Sequence, residues 1–218
     1  MMKNLLENKG IYLSAQTVRK YMNTELNLKS VTRKRKHESR KCGKPHKVFK
    51  NLLQGNFTAS ARNQKWCVDF TYMNLSKSTK RYNCTIIDLY SREVMASVNG
   101  KNINSQLAID ALKEALKKAG GVTGVLLHSD QGSQFTSKSF IDFCEECEVV
   151  QSMSKAGCPG DNAPMERYFN TLKAELLNLR TFKDEMKLYM EVNAFAYGWY
   201  NNVRPHSYNN FLPPAKVA

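Results

Sequence analysis

Three carboxylates in this 218-residue chain, Asp69, Asp130 and Glu166, stand where side-chain oxygens could hold a divalent cation, and Lys173 lies seven residues beyond the last of them. Glu166 belongs to the stretch GCPGDNAPMERYFNTLKAEL, residues 157–176. Its Gly157, Pro159 and Gly160 break regular structure. Asp161 or Asn162 then offers a side-chain oxygen to the open amides of a new helix, and Pro164 fits that helix's first turn. A helix is predicted from near Ala163. At 100° per residue, Met165, Phe169, Leu172 and Leu176 form a stripe that should face a core, with Glu166, Asn170 and Lys173 on a second stripe beside it. On an isolated helix Glu166 and Lys173 would be an ordinary surface pair. Two other stretches alter that reading.

Residues 65–74, KWCVDFTYMN, alternate Trp66, Val68, Phe70 and Tyr72 with Cys67, Asp69 and Thr71, the pattern of a β-strand. Asp is disfavoured inside a strand, so Asp69 needs a reason. Residues 124–135, GVLLHSDQGSQF, run from an apolar strand at 125–127 through His128 to Asp130 and a turn at Gly132. A carboxylate at the carboxyl end of a strand lies where α/β sheets usually place their chemistry. It also suits a helix cap or turn former. Periodicity predicts further strands at 66–72, 82–88, 93–98 and 149–152, and helices at 105–119, 137–147 and 182–201. Three strands that can pair as hairpins, then alternating helix and strand, imply a mixed α/β sheet covered on both faces.

Asp69, then Asp130, then thirty-five intervening residues, then Glu166, with Lys173 seven beyond, resembles the acidic triad of the retroviral integrase and transposase superfamily. The words WCVDFTY, HSDQGSQF, SMSKAGCPGDNAPMERYFNTLKAEL and YNNVRPH are similar, more narrowly, to the integrase-like transposases of bacterial insertion sequences with two overlapping reading frames. The resemblance covers roughly residues 50–218. It implies a ribonuclease H-like fold with a five-stranded mixed sheet, its first strand central and its fourth alongside, so that Asp69 and Asp130 are neighbours under the Glu166 helix. It also implies two Mg²⁺ ions, replaceable by Mn²⁺, with Asp69 bridging both, Asp130 on one and Glu166 on the other. Such ions activate a water or 3′-hydroxyl and stabilise the leaving oxygen of a phosphodiester. The implied activity is DNA cleavage and strand transfer during transposition, with Lys173 touching DNA near the terminal bases. Asp88 and Asp161 are competing carboxylates, read as a turn residue bonded to Ser91 or Arg92 and as a helix cap. His128 reads as a supporting or turn residue, not a ligand.

Charge points to the same class of partner. The formal net charge is +14, and residues 1–50 hold 14 Lys and Arg against 3 acidic residues. Such concentration favours a polyanion, nucleic acid first. Residues 11–30 resemble the second half of a helix-turn-helix, with Ser14 as cap, Val18, Tyr21 and Met22 inward, and Arg19 and Lys20 outward for DNA. A solvated helix docked on its own catalytic domain fits equally. Residues 31–50 read as an extended basic arm gripping phosphates, with Arg33, Lys34, Arg35 and Lys36 at its centre. The expected division is therefore 1–50, a partial helix-turn-helix module and basic arm; 51–62, a linker; and 63–218, the catalytic core with its terminal helix and tail.

In that tail Tyr200, Asn201, Arg204 and His206 could touch DNA or lock the carboxyl terminus. Six cysteines read as free thiols, because Cys144 and Cys147 lie in a helical pattern and no second pair stands at zinc-finger spacing. No apolar run approaches the ~18 residues of a membrane span. The expected setting is bacterial cytoplasm and nucleoid. Expected partners are transposon ends, target DNA, further copies of the chain on that DNA, and an upstream-frame product. Two competing readings follow from the same residues: a truncated DNA-binding remnant that regulates a complete enzyme, and a ribonuclease H-like nuclease.

Overall fold

The computed structural model describes residues 1–28, 47–76, 79–155 and 159–217. Arg33, Lys34, Arg35 and Lys36, with most of the basic arm, lie outside the described residues, as do His37, Cys42, His46, Gly157 and Cys158.

Strands β1 (Lys65–Asn74), β2 (Lys80–Asp88) and β3 (Val94–Gly100) form an antiparallel meander. Helix α3 (Ser105–Lys118) crosses to β4 (Leu126–Ser129), which pairs parallel with β1, and α4 (Lys138–Glu146) crosses to β5 (Val150–Met153), parallel with β4. Two short amino-terminal helices, α1 (Met2–Glu7) and α2 (Ala15–Lys20), precede the sheet. The sheet order is β3-β2-β1-β4-β5, so β1 is central. Two carboxyl-terminal helices follow: α5 (Ala163–Leu172), continued by wider turns over Lys173–Leu177, and α6 (Glu185–Asn193), continued over Ala194–Tyr200. Local chemistry starts three of these helices. Asn104, Ser137 and Asp184 each accept an amide from the first turn of α3, α4 and α6.

Alternation along β1 divides the interior into two cores. Trp66 and Val68 pack with Cys84, Ile86, the Leu107, Ala111, Leu112 and Ala115 stripe of α3, and Phe140 of α4. Cys67 and Met73 pack on the opposite side with Met165, Phe169 and Leu172 of α5 and Leu188 and Val192 of α6. Asp69 shares the parity of Cys67 and Met73. It therefore faces the α5 side of the sheet.

The segment 51–62, expected as a linker, is stitched to the core. Leu52 N–H donates to Ser152 Oγ at 2.9 Å, and Leu53 is buried in the α5-side core with Phe57 packed against it. Phe57 is the residue of this segment that the sequence marks as a docking residue, and Leu53 is buried beside it. In the amino-terminal helices Ser14 caps α2 through Thr17 N–H, Val18 is buried, and Arg19 and Lys20 are exposed. Tyr21, expected inward, is exposed instead, since α1 is one short helix with no buried residue to cover it. Cys67, Cys84, Cys144 and Cys147 are free thiols. Among the described residues no helix is long and apolar enough to cross a membrane.

Candidate active site

The strand register brings the first two carboxylates together. In the β1–β4 ladder Lys65 pairs with Leu126, Trp66 with Leu127 and Cys67 with His128. Asp69 lies two residues beyond the last pair within β1, and Asp130 lies two residues beyond it, just past the end of β4. These equal offsets bring the two carboxylates together at the end of the ladder, where the charge of Asp130 acts on Asp69. Asp69 Oδ1 accepts its neighbour Phe70 N–H at 2.7 Å, and Asp130 Oδ1 accepts Gly132 N–H at 2.9 Å. Gly132 leaves room for that approach. A Cβ there would stand 2.8 Å from Asp130 Oδ1 and still closer to the side-chain amide of Gln134.

Both carboxyls are raised above the ordinary carboxylate range. For Asp69 the causes are burial first, then the charge of Asp130, with a smaller contribution from Glu166; the Phe70 amide and Lys173 act the other way. For Asp130 the cause is burial, opposed by the Gly132 amide. Glu166 stands in the first turn of α5, is exposed, and lines an open groove with Arg167, Asn170, Thr171 and Glu175. Among the described residues no three acidic, histidine or cysteine side chains already converge as a closed metal cage. Asp69 and Asp130 are juxtaposed, and Glu166 is near enough for its charge to act on Asp69.

Several polar residues fix this arrangement. Asn162 Nδ2 reaches the Val68 carbonyl at 3.5 Å, tying the start of α5 to β1 one residue before Asp69. His128 is fully buried, with Nδ1 2.9 Å from Ser152 Oγ and Nε2 3.0 Å from the Asp161 carbonyl. It joins β4, β5 and the α5 approach, and both ring nitrogens are occupied. Asp161 does not cap α5. Its carboxylate accepts Lys155 N–H and Asn51 Nδ2, each at 3.0 Å, and Asn162 makes no side-chain cap either. The helix approach is held by long-range bonds that the local sequence pattern does not display.

Lys173 Nζ lies 4.5 Å from the centre of the Tyr72 ring, and Lys80 Nζ lies 5.2 Å from it. Tyr72 is a site neighbour that strand alternation alone did not single out. Arg204 is turned inward: its guanidinium grips both oxygens of Glu175 at 2.8–3.0 Å, while Trp199 Nε1 donates to the same carboxylate. Asn201 brackets Val94 on the edge strand, accepting its N–H at 2.8 Å and donating to its carbonyl at 3.0 Å. These contacts lock the tail. Asp88 is taken up by the β2–β3 turn and the chain just ahead of β1, accepting from Tyr90 N, Ser91 N, Ser91 Oγ and Asn63 N.

This arrangement has relatives. Models of the integrase core domain match residues 59–159 and 148–214. A transposase for insertion sequence element IS904 of Lactococcus lactis is 32% identical over 211 residues, which cover 96% of this chain and 82% of that protein. Transposase InsF for insertion sequence IS3A of Escherichia coli K12 is 34% identical over 167 residues, 77% of this chain and 58% of that longer protein. Among solved structures, the simian T-cell lymphotropic virus intasome in complex with PP2A regulatory subunit B56 gamma superposes with a TM-score of 0.62, covering 99% of this chain and 73% of that one at 18% identity. The HTLV-2 integrase catalytic core domain in complex with magnesium, in its trimeric form, gives 0.52 over 71% of this chain and 95% of that one at 19% identity. At such identities the likeness is one of fold, the ribonuclease H-like fold of integrase cores.

Proposed function

This chain belongs to the insertion-sequence transposases with an integrase core, enzymes of the polynucleotidyl transferase class, and from that premise we propose that Asp69, Asp130 and Glu166 are its catalytic residues in DNA cleavage and strand transfer. The observation that carries the reading is the β1–β4 register, which brings Asp69 and Asp130 together at the end of the ladder.

The donor set suits a hard dication. All three groups offer carboxylate oxygens, the ligands that Mg²⁺ and Mn²⁺ prefer. Asp69 and Asp130 are desolvated beside each other, a repulsion that positive charge relieves. When bound, a pair of such ions would supply Lewis-acid activation of an attacking oxygen and stabilisation of a leaving one. The chain's own residues hold and aim. Asp69 and Asp130 form the fixed base of the site, and Glu166, exposed on the first turn of α5, completes it by a side-chain movement. Lys173, beside Tyr72, lies where it can neutralise a phosphate entering next to Asp69. In the reaction a water or 3′-hydroxyl oxygen gives up its proton and bonds to phosphorus, the bond from phosphorus to the old 3′ oxygen breaks, and that oxygen takes up a proton from solvent, for no net change in protons.

For DNA gripping we assign Arg19 and Lys20, exposed on α2, and the basic run Arg33, Lys34, Arg35 and Lys36. Arg204 we assign to the Glu175 pair, as a lock of the tail. The HTLV-2 integrase catalytic core, seen in complex with magnesium and in a trimeric form, supports metal use and assembly of several copies. An upstream-frame product is a further partner of this reading, and the nucleoid is its setting.

The test is strand transfer on a labelled duplex carrying the element's own end, with Mg²⁺ or Mn²⁺, for the native chain and Glu166→Gln. Joined products from the native chain alone support the assignment. Binding without products from either would favour a non-catalytic, regulatory role.

A further inference from the structure

A cavity of about 390 Å³ opens on the α5 side of the molecule, between the β2–β3 turn, the first turn of α5 and the tail. Its walls include Arg92, Arg167, Phe57, Tyr200, His206 and Tyr208, and none of its described lining residues is acidic. This volume lies within the range of pockets that hold small organic groups, and it exceeds what a lone phosphate requires.

Arg92 is the unusual residue. It is 92% buried, its backbone sits in the left-handed region at φ +62°, and its terminal nitrogen Nη1 is buried with no protein partner. The rest of the guanidinium is held: Nη2 donates to the Phe57 carbonyl at 2.8 Å, and the group lies over the Tyr208 ring with its carbon 3.9 Å from the ring centre. A buried guanidinium with no carboxylate partner among the described residues and a strained backbone both carry a cost in the free protein, and such costs cluster where a ligand is clamped. The excess charge is felt locally. Burial, then Arg204, Arg92 and Arg167, push the His206 imidazole down to about 4, so it stays neutral.

The cavity borders the candidate active site. Ala163 and Arg167 line both the cavity and the open groove that contains Glu166, and Arg167 is adjacent to Glu166 in the chain. A strand whose phosphate lies at Glu166 therefore has a neighbouring nucleotide within reach of the cavity. Positive charge suits that nucleotide's phosphate. Aromatic walls suit its base, because stacking on Tyr or Phe tolerates any sequence. A paired base cannot enter so narrow a space without leaving its helix.

We propose that this cavity receives one unpaired nucleotide of the DNA strand held at Glu166, with Arg92 and Arg167 drawing its phosphate and Tyr208 and Phe57 packing on its base. The proposal rests on the DNA-cutting reading for its substrate and adds a second, non-catalytic point of strand capture. It explains why an arginine, and not an apolar residue, closes the β2–β3 turn against the tail.

The experiment compares the affinity of the full chain for two duplexes of equal length, one blunt and one with a short unpaired overhang at the same end. It is done in Ca²⁺, which also takes carboxylate oxygens. The native chain is expected to bind the overhang about tenfold more tightly, the scale of one stacked base. Arg167→Ala and Tyr208→Ala should each bring the ratio close to one, and Tyr208→Phe, which keeps the ring, should retain it. Arg167 is exposed and Tyr208 is 43% exposed, so neither truncation removes a core side chain.

No preference in the native chain, or a preference that survives both truncations, overturns the proposal. Its fate separates from that of the catalytic assignment. Joined DNA products from a chain with no overhang preference would remove the cavity and leave the triad. An Arg167-dependent preference in a chain that joins nothing would do the reverse.

Discussion

The same sheet treats its carboxylates in two opposite ways. At the β2–β3 turn, Asp88 is 1% exposed and accepts four donors, and Glu93 next to it is gripped by Arg62 Nη1 and Lys118 Nζ, each at 2.8 Å. Between β1 and β4, Asp69 and Asp130 each accept a single backbone amide; burial raises the proton affinity of both, and the charge of Asp130 raises that of Asp69 further. Asp88 and Glu93 build architecture, since every lone pair that matters has a partner inside the chain. Asp69 and Asp130 remain electrostatically unfinished, which is what a site completed by something from outside should look like.

The sharpest test of that contrast is catalytic. Asp69→Asn, Asp130→Asn and Glu166→Gln should each lower strand cutting by roughly a thousandfold or more, about 4 kcal/mol of transition-state stabilisation. Labelled end-duplexes resolved on denaturing gels would read this, with DNA binding measured alongside. A variant that cuts at the native rate does not belong to the triad.

The same chemical change at Asp88 should act on stability instead. Asp88→Asn replaces one acceptor oxygen with an amide that faces N–H donors, at a cost of about 3 kcal/mol in denaturant unfolding. If Asp88→Asn unfolds like the native chain, the architectural half of the comparison fails.

Acid provides a third measure, through His206 beside the arginines. Its folded-state affinity for protons is depressed to about 4 against an ordinary value of 6.5. The neutral ring's contribution is complete above ~6.5 and is lost as pH falls toward 4, about 3 kcal/mol in all. Unfolding free energies at pH 7 and pH 4.5 should diverge in the native chain and much less in His206→Gln. An equal loss in both would place the acid sensitivity elsewhere.

Divalent metal should separate the two carboxylate groups more gently. Mg²⁺ at a hundredfold excess over its dissociation constant should stabilise the native chain by about 2.7 kcal/mol, and Asp69→Asn or Asp130→Asn far less. The smallest expected effect is a gain. Without metal, Asp69→Asn removes a repelled charge and should raise stability by about 1 kcal/mol, opposite in sign to Asp88→Asn. A loss of stability instead would mean that Asp69 is held by the fold in the way Asp88 is.

Much of the site was legible in residue types and local periodicity. An Asp inside an apolar alternation, an Asp ending a short strand before Gly132, and a Glu at the start of an amphipathic helix are patterns set by backbone geometry within a few residues. The cap of α2 was readable for the same reason, as a side-chain oxygen reaches only three residues along. Asp161 marks where this stops. It has a cap's position, but its carboxylate found Asn51 from more than a hundred residues away.

What the sequence by itself determined is the inventory: three carboxylates, the elements that carry them, a basic amino-terminal quarter and two amphipathic closing helices. What only the tertiary structure decided is who meets whom. Burial of both faces of β1 placed β4 beside it in the one register that brings Asp69 and Asp130 together. Packing of the tail turned Arg204 onto Glu175 and left Arg92 buried, its Nη1 without a hydrogen-bond partner among the described residues. Such pairings join residues far apart in the chain, and they are selected by the area each arrangement removes from water and by which charges it leaves unmatched. Neither quantity is a property of any short stretch of sequence.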